Sequence, residues 1–148
     1  MSNALISLKP KYVQKILSGE KRIEIRRRPV SLAPDTRLWI YSTLPSGSIE
    51  AVAEIESVCL SAPCAIWDQF SSEIGISKQE FYSYVSGRKK ISAIFLKKIR
   101  KIEPAPTLNC LKSKIGEFHP PQFFKHLSSG SPILDLLHSF EKRSFAVA

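Results

Sequence analysis

Lys21, Glu24 and Arg26 fall in one short run, Lys21-Arg22-Ile23-Glu24-Ile25-Arg26, which sets a carboxylate between two fixed cations. Such a group can take a nucleotide. Lys and Arg hold phosphate, and the carboxylate accepts hydrogen bonds from an exocyclic amine, as carboxylates accept from cytosine N4. It is poorly suited to drawing a proton from water, because neighbouring cations favour the ionised form and weaken it as a base. Glu24 therefore reads as a binding group or an ion-paired strut. An ordinary amphipathic strand with a solvated, salt-bridged face would carry the same residues. Lys9, Arg27 and Arg28 extend the positive charge, and Arg88, Lys89 and Lys90 add to it further along. Tyr41, Tyr82 and Tyr84 offer faces on which a base can stack. Trp39, flanked by Leu38 and Ile40, reads first as core.

These residues need a strand, a helix and a second strand to position them. Pro10 suits a first helical position, and Val13, Ile16 and Leu17 follow at helical spacing. Gly19 stands where a left-handed helix cap belongs. In the run that follows, Ile23 and Ile25 take one face of a strand and Arg22, Glu24 and Arg26 the other. Arg37–Thr43 and Ile49–Val58 predict further strands, parted by the turn signal Leu44-Pro45-Ser46-Gly47. Pro63 opens a helix that stops at Gly75. Ser77-Lys78-Gln79-Glu80 is a capping box for a second helix, expected to run to Gly87. Ile91–Ile102 predicts the last long strand. After Pro104 and Pro106, short helices are expected near 108–115, 121–127 and 132–140.

The opening stretch resembles the start of the ASCH domain, a small family of the PUA-like β-barrel group. The resemblance rests on Ser18-Gly19-Glu20-Lys21 followed by Ile23, Glu24 and Arg26. It continues through Leu38-Trp39-Ile40-Tyr41-Ser42-Thr43 and through Ile49 to Val58. Gly75-Ile76-Ser77, Glu80-Phe81, Tyr84 and Gly87 are similar to the helical insertion of a bacterial and phage-borne branch. In all it covers about residues 4–103. It implies an α+β, PUA-like small mixed β-barrel in one domain, with the barrel at about 4–60 and 90–104. A two-helix insertion would occupy about 62–87, and a helical C-terminal extension about 107–141.

The resemblance also implies activities. In the amidohydrolase branch a lysine, a threonine three residues later and a glutamate of the insertion form the catalytic group, in which the lysine activates the threonine hydroxyl for attack on the N4-acyl group of a modified cytidine. Lys21 matches the lysine, Glu73 the glutamate, and Glu24 stands where the threonine should be. A carboxylate cannot replace the hydroxyl nucleophile, so that route needs another hydroxyl, such as Ser42 or Thr43. RNA cleavage is also attributed to ASCH proteins. There a general base with a cation for the phosphorane would suffice, and Glu24 with Lys21 or Arg26 supplies both. The insertion, helix–Ile74-Gly75-Ile76-Ser77–helix, is similar to a helix-turn-helix, and relatives carrying it are described as transcriptional regulators. Its second helix, however, has few basic residues before Arg88.

The 148 residues suit one self-sufficient core, with 43% hydrophobic and 24% charged residues. A net charge of +9 favours a polyanionic partner. Cys59, Cys64 and Cys110 lack paired spacing, and His119, His126 and His138 are scattered, so neither a disulfide frame nor a metal site is expected. No cofactor is implied. No signal segment or membrane-length apolar run appears, which predicts a cytoplasmic protein that does not engage a membrane. The expected function is binding of RNA, or of a nucleotide derived from it, in a basic cleft. Lys21, Glu24 and Arg26 would form the floor, Lys9 and Tyr41 the flanks, and Glu73 or Tyr84 the lid, with Ser42 and Arg88 as further ligand-binding residues. Hydrolysis of RNA or of a modified nucleoside, and DNA binding by the insertion, stay open.

Overall fold

A computed structural model describes residues 1–145. Strand β1 (Asn3–Leu8) leads into α1 (Pro10–Ser18), then β2 (Ile23–Arg26), β3 (Arg37–Ser42) and the long β4 (Ser48–Ser61). Helices α2 (Pro63–Ile74) and α3 (Lys78–Tyr84) follow, and then β5 (Ile91–Lys101), α4 (Leu108–Ile115), β6 (Phe124–Leu127) and α5 (Pro132–Phe145). All strands share one mixed sheet in the order β2-β5-β4-β3-β1-β6. Among the described residues, only β1 and β3 run parallel.

The sheet is bent by what its long strands carry. Opposite Ala53, β5 has one residue too many, and Lys98 adopts a left-handed conformation there (φ 51°). A few residues on, β4 carries the extra residue, between Ile55 and Ser57. Bulges of this kind bend a strand and increase its twist, which curls the sheet into a half-barrel. The curl does not close. β2 and β6 remain its two edges, and side chains span the seam: Arg26 Nη2 on β2 donates to the Ser7 carbonyl on β1 at 3.2 Å.

Period-two alternation sorts the core. Ile6, Leu38 and Ile40 pack beneath Val13 and Ile16 of α1. Their neighbours Leu5 and Trp39 turn to the opposite face, where α4 and α5 cover them with Leu111, Leu137 and Phe140. Trp39 is thus fully buried core, and its indole N–H donates to Asn3 Oδ1 at 3.0 Å. A third cluster joins Ile23 and Ile25 of β2 to Ile66, Ile74 and Phe81 of the insertion. Each such side chain contributes roughly 1.5–3 kcal/mol by leaving water.

Two sequence expectations are corrected. Residues 121–127, expected as a short helix, contain β6. β3 covers only one edge of β1, and β6 covers the other with antiparallel pairs from Asn3↔Leu127 to Ile6↔Phe124. Satisfying that backbone edge outweighs the weak local helix signal. The second insertion helix also ends at Tyr84 rather than at Gly87, which lies in a following turn at φ 79°.

Candidate functional site

Lys21 is the fulcrum of the site. Gly19 ends α1 in a left-handed cap, with its N–H on the Ile16 carbonyl, and turns the chain so that Lys21 points inward. The residue is only 2% exposed. Its Nζ donates to the carbonyls of Ile23 and Ile74, each at 2.8 Å, and lies 3.6 Å from Glu24 Oε1. The last carbonyls of α2 converge on this stretch: Glu73 O accepts from the Arg22 N–H at 2.9 Å, and Gly75 O accepts from Lys15 Nζ at 2.8 Å. The C-terminal carbonyls of a helix have no partner inside it and carry its negative pole. Two lysines and a backbone amide satisfy them here and pin the insertion to the opening motif.

Burial drives the Lys21 pKa below that of a free lysine, and the Glu24 carboxylate only partly opposes it. Glu24, itself 8% exposed, holds Lys21 with one oxygen while its other oxygen sits 3.1 Å from Arg26 Nε. That second contact is an ion pair and not an aligned hydrogen bond, since the Arg26 Nε–H has no acceptor in line. The Arg26 guanidinium is therefore incompletely satisfied at the edge of a cavity.

The cavity measures about 700 Å³, within the range of small-molecule sites. β1 and β2 form its floor and α3 its roof. Lys9, Tyr12, Glu24, Arg26, Glu80 and Tyr84 give it its character. Glu80, Ser83 and Tyr84 share one face of α3 and look into this space, so α3 serves as a wall of the cleft. The Tyr12 hydroxyl reaches Glu80 Oε2 at 3.4 Å and Lys11 Nζ stands 3.8 Å from the same oxygen, which ties α1 to α3 across the mouth. Tyr84 is 42% exposed, and burial of its hydroxyl raises its pKa. The Ser7 hydroxyl, on the floor, is buried without a partner.

Of the residues singled out from the sequence, Lys9, Lys21, Glu24, Arg26 and Tyr84 come together around this cavity. Tyr41 and Ser42 do not line it. They are 2% and 0% exposed, and Tyr41 packs in the core beneath α4 and α5. Glu73 uses its backbone carbonyl on Arg22. Arg88 donates from Nε to the Arg27 carbonyl at 2.8 Å and thereby holds the exit of β2. Tyr82 packs edge-on against Phe81 and tilted against Trp67. Tyr12 and Ser7 carry no sequence signal of their own, and Glu80 was read only as part of a capping box and of the insertion, not as a cleft residue. The spacing of Glu80 to Tyr84 along α3 was a usable signal, whereas Tyr12 sits just off the apolar stripe of α1 with nothing local to mark it. Among the described residues no three His, Cys, Asp or Glu side chains gather as a metal ion would require, and no helix is long and apolar enough to cross a membrane.

The family described as a domain of unknown function (DUF365) matches residues 4–116. An ASCH domain-containing ribonuclease from Zymomonas mobilis is 34% identical over 119 residues, 80% of each chain. The crystal structure of the ASCH protein from Zymomonas mobilis superposes with a TM-score of 0.84 at 31% identity, covering 92% of this chain and 94% of that one. The large ribosomal subunit protein uL22 of Ureaplasma parvum is 29% identical over 97 residues, which is 66% of this chain and 31% of that protein. The chain belongs to the ASCH domain family.

Proposed function

We propose that this protein binds single-stranded RNA in the cleft between the half-barrel seam and α3, and cleaves it there. The observation that carries the reading is the Glu24 carboxylate, held at the cavity floor between Lys21 and an incompletely satisfied Arg26. The 34% identity to a protein named a ribonuclease supports it. A backbone phosphate would lie against Arg26 and Lys9, and a base against the exposed face of Tyr84.

The residues divide the work as follows. Lys21 is a positioning residue, because its ammonium already faces two carbonyls and a carboxylate and has no N–H left for substrate. Glu24 is the carboxylate on the cavity floor, and although two cations flank it, it takes the 2′-hydroxyl proton as the 2′-oxygen bonds to phosphorus, a step that the charge of Arg26 on the phosphate makes easier. The P–O5′ bond then breaks, and the departing oxygen takes a proton from water in the open cleft. Arg26 offsets the charge that builds on the phosphorane. The products are a 2′,3′-cyclic phosphate and a 5′-hydroxyl. Mass spectrometry of a digested RNA should find both ends, and a 2′-deoxy substitution at the scissile position should block the cut. An uncut RNA, or a deoxy substrate cut equally well, refutes the mechanism.

A further inference from the structure

Phe123 immediately precedes β6 and leaves 54% of its surface exposed. A single exposed aromatic is unremarkable in itself. Its surroundings distinguish this one. The Arg28 guanidinium stands 5.9 Å from the ring centroid, across the seam from β2. The backbone beneath that arginine is fixed, since the Arg28 carbonyl accepts from Ser92 Oγ at 2.8 Å and the Arg27 carbonyl from Arg88 Nε at 2.8 Å. An aromatic face and a guanidinium plane are thus held opposite one another on the open surface.

Ser7 joins this pair to the cleft. Its N–H faces the Phe123 carbonyl at 3.5 Å, and its own carbonyl accepts from Arg26 Nη2 at 3.2 Å. The N–H and C=O of one strand residue point to the same edge. The Phe123 backbone and the Arg26 guanidinium therefore sit side by side along the edge of β1, where the pairing with β6 runs out. Ser7 also lines the cavity. A chain bound with a phosphate on Arg26 and a base on Tyr84 would reach Phe123 at its next step if it followed that edge.

We propose that Phe123 and Arg28 form a second nucleotide subsite, which stacks a neighbouring base of the same single strand outside the cavity. The inference rests on the RNA-binding reading of the cleft and names its ligand class: an oligoribonucleotide crossing the seam, and not a free nucleoside or mononucleotide. Phe123 supplies a face that accepts any base, and Arg28 either stacks on that base or takes the connecting phosphate. The subsite adds length preference without sequence preference.

The test compares two probes on wild type, Phe123→Ala and Phe123→Trp: a 2′-fluoro uridine hexamer, which resists cleavage, and uridine 3′-monophosphate. Phe123→Ala should weaken the hexamer about tenfold, the scale of one lost base–aromatic stack, and leave the mononucleotide unchanged. Phe123→Trp should restore hexamer binding. Thermal melting should not move for either variant, because the ring is largely exposed. Hexamer affinity within twofold of wild type in Phe123→Ala, with the mononucleotide still bound, refutes the subsite and leaves the cleft reading intact. Equal losses for the two probes also refute it, by placing Phe123 in a single site. Wild type that binds neither probe overturns the cleft reading and the subsite together.

Discussion

Gly75 rests directly on Lys21. A Cβ at position 75 would lie 2.6 Å from Lys21 Cβ and 3.2 Å from its Cα, and Gly75 itself adopts a left-handed conformation at φ 74°. The loop joining the two insertion helices thus touches the residue that orients Glu24, and no side chain fits between them.

Gly75→Ala should accordingly cost more stability than Gly87→Ala. Both glycines have a positive φ, but a Cβ at Gly87 meets nothing within 4 Å. Gly87→Ala should lose only the roughly 1–2 kcal/mol of left-handed strain, with the clash adding to that at Gly75. Urea unfolding measures the difference, and RNA affinity should fall only in Gly75→Ala. Equal destabilisation would mean that the contact with Lys21 is relieved at no cost.

Removing the charge at Glu24 should unsettle the fold as well as the chemistry. Glu24→Gln leaves Lys21 buried without a counter-ion, and breaking a buried pair costs about 3–5 kcal/mol. Arg26→Gln removes the less buried partner and should cost less. Chemical denaturation of both variants checks the order, and the reverse order would make Arg26 the principal partner of Glu24.

Stability should carry a pH signature of Lys21. Burial lowers its pKa in the folded protein, so between that value and the 10.5 of a free lysine the unfolded chain binds more protons than the native one. Folding stability must then rise with pH across that window, while below it the full cost of burying the charge remains. Lys21→Met lacks this slope. The wild-type minus variant difference, followed by urea unfolding upward from pH 7, should climb, and a flat difference would contradict a burial-dominated shift.

Binding should discriminate among lysines. Lys21→Ala should lower affinity for single-stranded RNA on the order of tenfold, equivalent to about 1.4 kcal/mol. Lys97→Ala should do little, because Lys97 lies outside the cleft and already pairs with Asp35 at 2.6 Å. Fluorescence anisotropy at two salt concentrations, with duplex DNA as competitor, provides the reading. Equal losses in the two variants, or a preference for duplex DNA, would replace the cleft with diffuse electrostatics or with a role for the insertion on DNA.

Deacetylation of N4-acetylcytidine should be absent. The resemblance sets Glu24 where the amidohydrolase branch has its hydroxyl nucleophile, and neither Ser42, which is fully buried, nor Thr43 lines the cavity. Turnover seen by mass spectrometry would require another nucleophile, and the unpartnered Ser7 hydroxyl on the cavity floor is the first to replace.

The strand–helix–strand of the motif was legible because its signals are local. Pro10 opens α1, Gly19 closes it, and the isoleucine alternation sets the β2 face that carries Glu24 and Arg26. The capping box was equally clear, and the Ser77 side chain does accept from the Glu80 N–H. Other features depend on distant chain. Alternation along β3 separates Tyr41 from Ile40, but only the later placement of α4 and α5 makes the Tyr41 side core. Glu73 touches the motif through its carbonyl, an atom every residue has, so its type carried no information about that contact. β6 exists because β1 has an edge to fill, a requirement written in neither segment alone.

That dependence has a consequence during synthesis. β1 leaves the ribosome early, and its second edge can be covered only once Phe124–Leu127 has followed. Throughout that interval Leu5 and Ile6 belong to a strand with an open, apolar edge, the kind of surface on which nascent chains pair with one another. Fast translation through the C-terminal third, or a chaperone that shields the first strand, would shorten the exposure. Truncation before β6 would make it permanent, so shortened forms of this protein should collect in the insoluble fraction even when the motif around Lys21 is intact.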